Sequence, residues 1–196
     1  ARVRGKLRIA TIVDPEFTRL GDFLRELVLH APDVRPELRH GMSGTALASV
    51  LAGDADVGYY IGDAAADAAI LRAGSKVHSE VLTRFSYCIV APPGWEERVR
   101  DKDIEDLVKL PWILTPPESV HARLLASALQ PRGLRQKGVA LVDQEASMLA
   151  LVRSGVGLSL ARDSIAMRES QSEGLVVADR EQLAATLRAQ LTEAQL

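Results

Sequence analysis

The sequence is short of the residues that most often announce chemistry. It has a single cysteine, Cys88, and only two Trp, three Tyr and three Phe residues among its 196. One cysteine excludes an internal disulfide and any cysteine-rich metal site, and it fits a reducing compartment. Cys88 lies within the apolar run FSYCIVA, which reads as a buried structural thiol rather than a nucleophile. An aromatic content of 4% is poor for an enzyme that stacks sugars. No apolar run approaches bilayer-spanning length, and no signal peptide opens the chain, although a mature secreted protein would have lost one. A net charge of −2 lacks the basic face that gripping phosphate requires, so DNA binding by this chain alone is not expected.

Catalytic signatures are missing too. There is no GxSxG elbow, no HExxH, no GxxxxGK[ST] and no full GxGxxG. Gly155 and Gly157 in SGVGLSL match only part of the last, and they read as a helix end and a point of close chain packing. The four histidines, His30, His40, His78 and His121, show no metal-ligand spacing. No metal and no cofactor are expected. His121 stands apart because it falls in the first turn after a cap. The acidic clusters at Asp54–Asp56 and Asp101–Asp106 supply two-carboxylate candidates, but both read as solvated turn or helix-start groups.

What is present is an alternation of strands and helices. A basic start, ARVRGKLRIA, reads as a linker feeding a strand over Lys6–Val13 rather than a DNA-binding arm. Asp14-Pro15-Glu16 has the composition of a helix start, followed at helical spacing by Phe17, Leu20, Phe23, Leu24, Leu27 and Val28. Strands follow at Val34–Arg39 and Ala55–Ile61 around a helix at Ser43–Ala52. The pattern then repeats, with strands at Arg84–Ala91, Pro111–Leu114, Val139–Val142, Val156–Leu160 and Leu175–Ala178. Helices fall near Asp103–Leu107, through Ala122–Leu129, from Asp143, and at Ala161–Glu169. The two halves join near Lys76–Val81. This predicts an α/β chain of two lobes with mostly parallel sheets, whose strand ends and helix starts share a cleft. The last segment, DREQLAATLRAQLTEAQL, has helical propensity and Leu183, Leu187 and Leu191 at helical spacing, which favours a helix over a strand at Ala184–Ala189.

The turns between strand and helix hold the polar candidates. In HGMSGT, Ser43 between Gly41 and Gly44 reads as a helix cap whose glycines let backbone N–H groups approach a bound oxygen. Asp14, Ser119 and Asp143 occupy comparable turns. Asp14 and Asp143 suit an amine or neutral polar ligand better than a bare carboxylate.

Several stretches together carry a resemblance. GKLRIA, APDVRPELRHGMSG, LASVLAGDADVGYY and ASMLALVRSGVGLSL, in this order from about Gly5 to Val177, resemble the effector-binding domain of LysR-type transcriptional regulators. Pro32, Val34, Gly41, Ser43, Gly53 and Asp56 meet the family's earlier pattern. Leu151, Val152, Gly155, Gly157 and Leu160 meet its later one. The resemblance implies two Rossmann-like lobes joined by two crossover strands near residues 79–83 and 171–175, the type 2 periplasmic-binding-protein-like fold. Lobe I would hold 1–80 and 172–196, and lobe II 81–171. A small-molecule effector would sit between the lobes, touched by Thr11, Asp14, Ser43, Thr45 and Tyr60 on one side and by Thr115, Ser119, His121, Gln144 and Glu145 on the other. The domain would form a homodimer, and the complete regulator a homotetramer in the cytoplasm, with no membrane partner. DNA would be reached only through an N-terminal winged helix-turn-helix that does not precede Ala1 here. Asp14 departs from the small polar residue common in relatives. The competing readings are a periplasmic solute-binding protein of an uptake system and an enzyme on this fold, the latter lacking a reactive acid or base.

Overall fold

A computed structural model of the chain describes residues 4–12, 14, 16–62 and 77–192, with the backbone alone for 179–192. Its elements run β1 (Gly5–Ile12), α1 (Leu20–His30), β2 (Val34–Gly41), α2 (Ser43–Leu51), β3 (Val57–Gly62) and β4 (Val77–Ala91). They continue with α3 (Glu96–Val99), α4 (Ile104–Leu107), β5 (Pro111–Leu114), α5 (Val120–Leu129), a 3-10 turn (Gln130–Arg132), β6 (Lys137–Leu141), α6 (Glu145–Arg153), β7 (Ser159–Arg162), α7 (Asp163–Glu173) and β8 (Val176–Thr192). The chain divides into two compact units, Ala1–Arg84 with Thr186–Leu196, and Phe85–Ala185. The chain passes from one unit to the other within β4 and within β8.

In the first unit β1 pairs in parallel with β2 (Gly5 opposite Val34, Ile12 opposite Gly41) and with β3 (Ile9 opposite Val57). Every residue of β3 is buried, as expected of a parallel strand covered on both faces. Helix α2 lies against this sheet through Ala46 and Val50, which pack with Ala10 and Ala55. The approach is close at Gly58, where a Cβ would meet Val50 Cγ2 at 2.6 Å and the Ala46 carbonyl oxygen at 3.1 Å. Asp56 is not the solvated group its DAD context suggests. It is 8% exposed, and the Arg8 guanidinium donates to both its oxygens, at 2.7 and 3.2 Å. The Arg8 backbone N–H donates to the same carboxylate at 2.8 Å. These bonds hold the Asp56 carboxyl below the usual carboxylate range and tie the entry of β3 to β1.

Two expectations fail in this unit. Helix α1 begins at Leu20, not at Asp14-Pro15-Glu16. Asp14 does cap, but it caps a separate turn over 16–19: its Oδ1 accepts from the Phe17 N–H, and its carbonyl accepts from the Thr18 N–H and hydroxyl. Arg19, left-handed at φ 53°, interrupts the helix before Leu20. The C-terminal segment is the strand β8, not a helix. It pairs antiparallel with β3, Val57 opposite Leu191 and Gly62 opposite Thr186. Strand β3 would otherwise leave its buried backbone N–H and C=O groups unpaired on that side, a cost that outweighs a few tenths of a kcal/mol per residue of helix propensity. Val13, Pro15 and Lys76 lie outside the described residues.

In the second unit β5 pairs in parallel with β6 and, through a parallel bridge of Trp112 to Leu158, with the approach to β7. β7 runs antiparallel to β4, with Tyr87 opposite Arg162. β4 is longer than expected, starting at Val77 rather than Arg84, and α3 has no counterpart in the sequence reading. The core gathers Val90, Ile113, Met148, Val152 and Leu175 around Cys88, whose thiol pKa is pushed up by burial, as befits a structural cysteine. Two ties seat the helices: Trp112 Nε1 donates to the Leu107 carbonyl at 2.8 Å, and Arg153 pairs with the buried Glu169 at 2.5 Å.

The two glycines of SGVGLSL behave as expected. Gly155 takes φ +83° just beyond α6. At Gly157 a Cβ would sit 2.5 Å from the Pro111 carbonyl oxygen. Gly157→Ala is therefore expected to force β5 and the approach to β7 apart and to lower stability by about 1–3 kcal/mol in urea unfolding. An unchanged midpoint would show that the two chains do not meet at this point.

Candidate functional site

Parallel strands deliver their carboxyl ends, and the helix starts that follow, to one edge of a sheet. In the first unit that edge holds Thr11 near the end of β1, Ser43 after β2, and Tyr60 and Ile61 near the end of β3. Thr11 is fully buried, and its hydroxyl donates to the Ile12 carbonyl at 3.3 Å. Tyr60 is buried within its strand. Ser43 is not a helix cap. Met42 occupies the cap position of α2 with no side-chain cap bond. The Ser43 hydroxyl instead reaches β3, donating to the Ile61 carbonyl at 3.0 Å and accepting the Ile61 N–H at 2.7 Å. The single hydroxyl proton is thereby committed within the protein. Thr45 is exposed and donates to the Met42 carbonyl at 2.7 Å. Gly41 keeps that turn open, since a Cβ there would come within 2.8 Å of Thr45 Oγ1. Asp14 is strained at φ 133°, and its carboxylate is engaged by the Phe17 N–H.

In the second unit Ser119 is the cap it was expected to be, accepting the Ala122 N–H at 3.1 Å. Its hydroxyl also meets that of Thr115 at 2.5 Å, joining the end of β5 to the start of α5. Gln144 caps α6 from an exposed position without a side-chain bond, while Asp143 before it is exposed. Glu145, in the first turn of α6, lies 3.9 Å from the guanidinium of Arg162 at the end of β7.

His121 has the most unusual surroundings of the ten. It is 9% exposed, the edge of its ring stands against Tyr87 with centroids 5.1 Å apart, and its Nε2 has no hydrogen-bond partner among the described residues. Burial first, and the positive charge of Arg162 second, push its pKa down to about 4, so the imidazole is neutral. Arg162 and Tyr87 were not singled out by sequence reasoning. An arginine ending an apolar strand carries no motif, and only the fold brings it beside His121. Among the described residues no group of three His, Cys, Asp or Glu side chains is arranged to hold a metal ion, and no helix is long and apolar enough to cross a membrane.

The fold has counterparts among known proteins. The family model described as the LysR substrate binding domain matches residues 1–192, and the chain belongs to that family. It is thus an effector-binding domain of the LysR type, with the type 2 periplasmic-binding-protein-like fold, rather than a solute receptor of an uptake system. The cofactor-binding domain of the Cbl transcriptional regulator superposes with a TM-score of 0.70 at 21% identity, over 99% of this chain and 83% of that one. The effector-binding domain of QuiR in complex with shikimate gives 0.67 at 12% identity, over 95% and 87%. Full-length CbnR complexed with its target DNA gives 0.63 at 15% identity, over 96% of this chain and 65% of that longer one. A comparison with curated protein sequences returns no match.

The histidine makes a pH-dependent contribution with a definite sign. Its folded pKa of about 4 lies below the ordinary 6.5, so the unfolded chain binds the extra proton between those values. The stability present above pH 6.5 is lost as pH falls toward 4, by about 3 kcal/mol in full. Urea unfolding at pH 7.5 and 4.5 is expected to show wild type losing about 2.5 kcal/mol more than His121→Phe. Equal losses would mean that His121 is not held neutral.

Proposed function

We propose that this chain senses a small metabolite for a bacterial transcription regulator, without catalysing a reaction on it. The family match over residues 1–192 carries this reading, and the strand-end polar residues of both units give it a chemical basis. Thr11, Asp14, Ser43, Thr45 and Tyr60 from the first unit and Thr115, Ser119, His121, Gln144 and Glu145 from the second are the proposed ligand contacts. Because Ser43 already bonds Ile61, its part is to hold the start of α2 and present its backbone N–H groups to the ligand. Shikimate in the QuiR domain supports a ligand of this size and polarity. The regulator would work in the cytoplasm and reach DNA through a winged helix-turn-helix, as the CbnR complex with DNA supports. The ligand changes DNA binding only in so far as it binds one arrangement of the units better than another.

Self-association is the other half of the proposal. On the outer side of α1, Val28 and Leu29 are 56% and 67% exposed, and on β6 Leu141 is 67% exposed beside Val139. Apolar groups of this size, next to the edge strands β2 and β6, suit burial against a second copy.

A thermal-shift screen of the chain against small polar metabolites tests the sensing role. A ligand at one hundred times its Kd is expected to add about 2.7 kcal/mol of stability, and Thr115→Val and Gln144→Ala to weaken it. If no metabolite stabilises the chain, or both variants bind as well as wild type, the proposed contacts are wrong. Sedimentation of Leu29→Glu is expected to show a monomer where wild type is a dimer, and a monomeric wild type would refute the dimer.

A further inference from the structure

We propose that the start of α5 is a subsite that reads a hydroxyl group. The effector is then a hydroxylated metabolite, a polyol or a hydroxy acid, one hydroxyl of which seats against His121 Nε2 and the Thr115–Ser119 pair. This rests on the effector-binding reading above and names the chemistry of one end of that site.

The turn that leaves β5 and the first turn of α5 supply all three side chains. His121 is nine-tenths buried, yet its Nε2 has no hydrogen-bond partner among the described residues. Leaving such an atom unpaired is costly, so it calls for a polar group that the chain does not provide. Its ring neighbour, Tyr87, meets it edge to face at 5.1 Å, a packing contact that leaves Nε2 unanswered.

The hydroxyl pair carries a second unused group. Thr115 and Ser119 bond each other at 2.5 Å, so one of their two protons lies between the oxygens. Ser119 Oγ also accepts the Ala122 N–H at 3.1 Å. The other hydroxyl proton has no acceptor among the described residues, whichever of the two oxygens carries it. One helix start therefore holds an unpaired ring nitrogen and an unused donor.

Charge selects among the ligand groups that could answer them. Arg162, the cation near His121, is already engaged within the protein, with Glu145 at 3.9 Å among its neighbours. It does not call for a ligand carboxylate, but its charge keeps the imidazole neutral and repels a ligand ammonium. A hydroxyl both donates and accepts. It therefore bonds Nε2 in either tautomer of the neutral ring, and its oxygen still accepts the unused proton of the pair. A carboxylate bonds only the tautomer that carries its proton on Nε2.

The test uses the whole chain with ring-labelled histidines at pH 7.5. The His121 signal is identified by its loss in His121→Gln or, should that variant not fold, by elimination with His30→Gln, His40→Gln and His78→Gln. Sodium glycolate and sodium acetate, which differ by one hydroxyl, are titrated separately at constant ionic strength. Glycerol serves as an uncharged probe and methylammonium chloride as a cationic one. The His121 signal is expected to move saturably with glycolate and with glycerol, and acetate is expected to bind about fivefold more weakly than glycolate. Ser119→Asp keeps the helix cap and accepts the Thr115 proton, so it is expected to abolish the glycerol response. Equal responses to glycolate and acetate, movement with methylammonium, or no movement with either hydroxylated probe would overturn the subsite. A metabolite without hydroxyls that stabilises the chain would remove the subsite and leave the sensing role intact. Glycolate and glycerol bound at His121, with no stabilising metabolite, would do the reverse.

Discussion

Parallel pairing, of β1 with β2 and β3 and of β5 with β6, is the constraint on which the rest of the structure depends. Strands that run the same way must be joined by a crossover, and here each crossover carries a helix. Each crossover then returns its helix N-terminus to the edge where the strands end. Ser43, Ser119 and Gln144 all stand at such returns. The polar residues are therefore gathered by topology, before any of them is chosen for a ligand.

Because those edges are crowded, most of their hydroxyls already have work within the protein. Ser43 fastens α2 to β3 through both the N–H and the carbonyl of Ile61. Thr115 and Ser119 bond each other, and Thr45 bonds the turn beneath it. These contacts hold the helix starts at fixed positions, which is what a site needs if a ligand is to be met without reorganisation. His121 contrasts with them: it is as buried as its neighbours, yet its Nε2 has no partner.

Much of this was legible in the sequence because the controlling signals are local. Proline, glycine and acidic residues around apolar runs of strand or helix period announce the βα order, and Gly157 could be read as a close approach. What escaped depends on partners far along the chain. The Leu183, Leu187 and Leu191 spacing of four residues fits a helix face and also one side of a strand, and pairing with β3 decides between them. Asp56 looks solvated in its DAD context until Arg8, from another strand, closes on it. The start of α1 turns on a left-handed Arg19, which no local pattern signals. Of the site, the hydroxyls and His121 were visible as residues at turns. Arg162 was not, since its meaning comes from the ladder that sets it opposite Tyr87.

The most direct measurement of the central claim is hydrogen exchange of the full chain with and without a metabolite that raises its melting temperature. The account predicts that exchange slows together at the start of α2, over Met42–Thr45, and at the start of α5, over Ser119–His121. Slowing in only one of those segments, or in neither, would contradict an effector held by the strand-end residues of both units.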